Sequence, residues 1–153
     1  MKRVLRAIVL LSFVVVGAGS VRADSTPKIQ GVVSGLELCP QAWCGVAIFA
    51  GVFQGQVGFN HNALGLISVA VNHEDLPFVP NVCSNITDGS WTLRVGLRRF
   101  AGSATGLLCS NGDNTWDVHV TMEFESGGSG DATFHGTLNH NFFPPTIDGV
   151  IVQ

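Results

Sequence analysis

Histidine titrates unaided near neutral pH, and this sequence of 153 residues holds five: His61, His73, His119, His135 and His140. Three follow an asparagine, in Asn60-His61, Asn72-His73 and Asn139-His140, and His73 is succeeded by Glu74 and Asp75. Imidazole nitrogens and carboxylate oxygens ligate borderline divalent ions and are common partners in acid–base catalysis. His73, Glu74 and His140, with Asp75 and Asp113 nearby, are therefore the candidate metal or acid–base centre, and a divalent metal is the one cofactor the residues suggest. The plainer reading is a set of polar rim residues that end strands and hydrogen-bond turn backbone.

His119 and His135 form a second pair, on the polar face of an expected hairpin and opposite one another if its turn centres on Gly127. Two ligands seldom hold a metal, so decoration of a solvated sheet face is the stronger reading. A third candidate is apolar: His140-Asn141-Phe142-Phe143-Pro144-Pro145-Thr146. Phe142 and Phe143 are the candidate contacts for a ligand or partner, as a docking patch or a lid over a barrel mouth. The competing expectation, favoured because an exposed Phe pair is a liability in a secreted monomer, is that they plug the barrel end. Other chemistries lack their motifs: there is no phosphate-cradling glycine loop, no Gly-x-Ser-x-Gly elbow and no His-Glu-x-x-His, and tyrosine is absent.

Period-2 alternation identifies the elements that must position these residues. Trp116, Val118, Val120, Met122 and Phe124 alternate with Asp117, His119, Thr121, Glu123 and Glu125. Trp91, Leu93, Val95 and Leu97 do likewise, as do Ala132, Phe134, Gly136 and Leu138. Turn residues at 100–103, 111–114 and 126–130 separate the runs, and earlier strands are expected near 29–38, 45–53 and 64–71. The segment 73–90, with two prolines, reads as one long loop and contains Asn85-Ile86-Thr87, a glycosylation acceptor if the chain enters a eukaryotic secretory pathway.

Glycine followed by an apolar residue recurs, as in Gly35-Leu36, Gly51-Val52, Gly106-Leu107 and Gly149-Val150. Glycine inside strands suits a sheet that bends. The expected fold is an all-β antiparallel meander of about eight or nine strands, closed or nearly closed into a small β-barrel. A two-sheet sandwich shares these cues. In a meander the strands ending near Asn72 and Asn139 run the same way, so His73 and His140 share a rim and His61 lies at the other end. Such a barrel is similar in outline to lipocalin-like and other calycin-type carriers, a likeness of architecture that carries no site residue across.

The first 23 residues have the grammar of an export signal: Lys2, Arg3 and Arg6, an apolar run over 7–18, and Val21-Arg22-Ala23 before Asp24. That run is too short to span a membrane as a helix. Residues 24–153 then form one domain with four Lys and Arg against eleven Asp and Glu, a net charge of −7. An acidic chain with so few cations repels nucleic acid. Cys39, Cys44, Cys83 and Cys109 all follow the export segment, and secretion or a periplasm favours pairing. Cys39 with Cys44 and Cys83 with Cys109 is the preferred of three connectivities. The function expected is an exported, non-enzymatic barrel that binds a partner or a small apolar ligand; the alternatives are an enzyme using the His/carboxylate rim and a structural component of an extracellular or envelope assembly.

Overall fold

The computed structural model describes residues 28–153; the expected export segment lies outside them. Eight antiparallel strands follow in chain order: β1 (Ile29–Cys39), β2 (Ala47–Val57), β3 (Asn60–His73), β4 (Cys83–Val95), β5 (Arg98–Ser110), β6 (Thr115–Ser126), β7 (Asp131–Asn139) and β8 (Thr146–Val152). Each pairs with its sequence neighbour, and β8 pairs with β1, placing Gly31 opposite Ile151 and Gly35 opposite Ile147. The sheet closes into a barrel, not a sandwich. Closure leaves every strand bonded on both sides and removes the exposed edges of an open sheet. The helical content of the described residues is one turn, α1 (Gln41–Cys44), ended by Gly45 at φ +75°.

Alternation places the core. Along β6, Trp116, Val118, Val120 and Met122 are buried while Asp117, His119, Thr121 and Glu123 face solvent. The glycines that precede apolar residues lie on the inner wall. Gly31 stands opposite Gly55, and Gly35 opposite Gly51. A Cβ on Gly55 would sit 2.2 Å from the Gln30 carbonyl oxygen, and one on Gly51 would sit 2.6 Å from that of Ser34. The two backbones therefore approach too closely for any side chain, which lets β1 and β2 curl around the core.

Two sequence expectations are corrected. Residues 100–103 are not a turn: β5 runs through them, and the reversal lies at Gly96-Leu97, where Gly96 takes φ +57°. Leu97 continues the alternation of β4 in phase, so periodicity hides this two-residue hairpin. Nor is 73–90 a single loop, because β4 begins at Cys83 and only 74–82 connects it to β3. A bulge between Ile86 and Gly89, with Asp88 at φ +47°, breaks the alternation that would have marked the strand. Asn85 is thus a strand residue.

The connections sort to two ends. The loops 40–46, 74–82, 111–114 and 140–145 form the upper end; the turns 58–59, 96–97 and 127–130 form the lower. Cys39–Cys44 clasps the first upper loop, and Cys83–Cys109 joins directly opposed residues of β4 and β5. Both disulfides fit an oxidising compartment. The lower half is filled by Phe53, Leu93, Phe100 and Trp91, with Phe124 packed edge-on to Trp91 at 5.0 Å and to Phe100 at 6.3 Å.

Candidate functional site

The upper half of the barrel is lined mainly by aliphatic side chains. Val71, Ile86, Leu108, Val118, Leu138 and their neighbours surround an apolar cavity of about 70 Å³ that extends toward the middle of the barrel. Three residues at its upper margin differ in origin: Glu37 from the end of β1, His73 from the end of β3 and Leu76 from the following loop.

Glu37 falls on the inward phase of β1, continuing Val33 and Gly35, and is only 4% exposed. Its backbone N–H donates to the Pro145 carbonyl at 2.9 Å, which pins the loop 140–145 over this end of the strand. Its Oε2 lies 3.0 Å from Nε2 of His140, yet the ring N–H is not aligned with it, and both buried atoms lack a directed hydrogen bond. A buried carboxyl group at the margin of an apolar cavity, with one misaligned neighbour, is an unusual tenant of a barrel core.

His140 is held from behind. Its backbone N–H donates to the Asn114 carbonyl at 2.9 Å, and its ring packs against Trp116 with centroids 4.7 Å apart. The Trp116 indole N–H donates to the Pro77 carbonyl at 2.7 Å, and Phe78 meets its ring edge at 5.8 Å. Three upper loops are thereby tied around one buried indole.

The meander brings His73, Glu74 and His140 to the same end, but their side chains turn to separate partners. Nδ1 of His73 contacts the Glu74 carbonyl at 2.5 Å, while its backbone N–H and carbonyl are clamped by the Gln41 amide at 2.8 and 2.9 Å. The Glu74 carboxylate accepts from the Asn85 backbone at 3.3 Å and from its amide at 3.2 Å. Asp113 accepts from the backbone of Thr115 at 3.2 Å, an Asx turn. Among the described residues no three His, Cys, Asp or Glu side chains are grouped to hold a metal.

Phe142 and Phe143 do not plug the barrel: they are 59% and 89% exposed, on the loop that joins β7 to β8 at the rim. Trp116 and Leu76 occupy that end instead, Trp116 because it begins the inward phase of β6. His119 and His135 are directly opposed, with Nδ1 atoms 2.7 Å apart, one ring donating to the other on an exposed face. Glu37 is the residue that sequence reasoning passed over. Its signal was legible, since it is the one charged residue in the inward phase of β1.

Comparison with family models, with curated proteins and with solved structures finds no match to this chain.

Proposed function

We propose that the protein is an exported, non-enzymatic binding barrel whose ligand is a small, chiefly apolar molecule carrying one hydrogen-bond donor, an amine or an alcohol. The observation that carries this reading is the buried Glu37 carboxyl, whose residue stands with His73 at the margin of a cavity walled elsewhere by apolar groups and which lacks an aligned hydrogen bond. A donor on a ligand supplies that bond, and the aliphatic wall takes the rest. The cavity is about half the size of an engineered apolar cavity of about 150 Å³ that holds benzene, so roughly three to five heavy atoms fit without repacking. Phe142 and Phe143 stand on the loop above Glu37, where they would line the approach. The export segment and both disulfides agree with a site of action outside the reducing cytosol.

Thermal unfolding with n-propylamine, n-propanol and propionate tests the proposal. The amine or the alcohol is expected to raise the melting temperature with concentration, and propionate, which brings a second carboxylate to Glu37, is not. Val120→Phe, which fills the cavity from β6, is expected to abolish the effect. No stabilisation by either donor, or an undiminished response in Val120→Phe, overturns it. Native mass spectrometry of protein purified from its own source would then identify the natural occupant.

A further inference from the structure

We propose that the lower end of the barrel docks on an anionic phospholipid bilayer, with Phe59 and Leu97 as inserted tips and Lys28, Arg94, Arg98 and Arg99 as contacts to headgroup phosphates. It stands apart from the interior ligand site, which lies in the upper half of the barrel.

Two hairpins make the tips. Gly58-Phe59 and Gly96-Leu97 are two-residue turns in which glycine takes the positive φ, +60° and +57°. The second turn residue projects from the end of the hairpin and has no core to join, so polar residues serve there well. Here it is Phe59, 95% exposed, and Leu97, fully exposed. Leu64 and Leu66 extend the exposed apolar surface along the outer face of β3. Large apolar side chains gathered at one end of a molecule mark an interaction surface.

Charge supplies the second observation. The described residues hold four Lys and Arg, and all four lie at this end: Lys28 just before β1, Arg94 near the end of β4, Arg98 and Arg99 at the start of β5. Lys28, Phe59, His61, Leu97, Arg98 and Arg99 line one open cleft. Arg94 and Arg99 are directly opposed across the β4–β5 ladder, an arrangement that costs stability unless an anion bridges it. Among the described residues none of the four cations forms a salt bridge. Glu123, Glu125 and Asp131 occupy the β6–β7 side of the same end, so the molecule would lean toward its β2–β5 side.

Apolar tips flanked by unpaired cations fit an interface of acyl chains beneath anionic headgroups. Spanning is a different matter: Asp117, His119 and Glu123 alternate along the outside of β6 and the interior is apolar, the reverse of a lipid-embedded barrel.

Vesicle flotation tests the proposal, using purified protein whose amino terminus has been verified by mass spectrometry. Binding is expected to equimolar phosphatidylglycerol and phosphatidylcholine, not to phosphatidylcholine alone, and to weaken with salt. Phe59→Ser with Leu97→Ser, and separately Arg94→Gln with Arg99→Gln, are each expected to weaken it by about fivefold or more, with a melting temperature no lower than that of wild type. Phe142→Ser with Phe143→Ser, at the opposite end, is the control and should bind as wild type. Absence of binding, equal binding to neutral vesicles, or undiminished binding by the tip variant overturns the proposal. Binding of inorganic phosphate that leaves the vesicle interaction insensitive to Phe59 and Leu97 overturns it too, in favour of a free-anion site.

Discussion

Glu37 sits where a barrel of this size would ordinarily place a valine or leucine, and the consequences can be measured one side chain at a time. Replacing a poorly aligned buried ionisable pair by apolar groups is often neutral or stabilising. Replacing the pair as a whole, by Glu37→Met with His140→Leu, is therefore expected to raise unfolding free energy by about 1–2 kcal/mol in urea titrations while removing the response to n-propylamine. A loss of stability in this variant would mean that the carboxyl serves folding. His140→Ala leaves Glu37 without its neighbour and uncovers Trp116, so a loss of about 2 kcal/mol is expected from the same titration. Because His73, Glu74 and His140 turn to different partners, added zinc is expected to leave the melting temperatures of wild type and of His73→Ala with His140→Ala unchanged. A zinc-dependent rise lost in the double variant would restore the metal reading.

At the level of strands and connections, the two disulfides close loops of very different length, 5 residues for Cys39–Cys44 and 26 for Cys83–Cys109. Chain entropy gives about 2 kcal/mol for the short closure and about 3.5 kcal/mol for the long one. Replacing Cys83 and Cys109 by serine should lower the denaturation midpoint more than replacing Cys39 and Cys44, and the reverse order would show that α1 organises the upper loops more than its length suggests. Gly51→Ala tests the close approach of β1 and β2. Its Cβ meets backbone atoms, which cannot rotate away, so a loss of about 2–3 kcal/mol is expected by urea titration.

Across the whole molecule, stability depends on β8 bridging β7 and β1. Val150 faces outward and pairs with Val32 on one side and His135 on the other, so Val150→Pro spares the core yet removes a ladder hydrogen bond and reopens an edge. Association or precipitation on size-exclusion chromatography is the expected result, and a soluble monomer would show that closure is dispensable. Much of this architecture is legible in residue order. Alternation from Trp116 to Phe124 dictates which side chains face inward, and the parity of the meander puts His73 and His140 at one end with His61 at the other, because strand direction reverses at each turn. Local pattern could not reveal the hairpin at Gly96-Leu97 or the strand beginning at Cys83: the first preserves the alternation through the reversal and the second breaks it at a bulge. Nor could it reveal how Glu37 meets His140, how Arg94 faces Arg99, or that Phe142 and Phe143 stay in solvent. Those depend on residues far apart in the chain, or on which side of a loop a closed sheet leaves free, and only the register of one strand against the next brings them together.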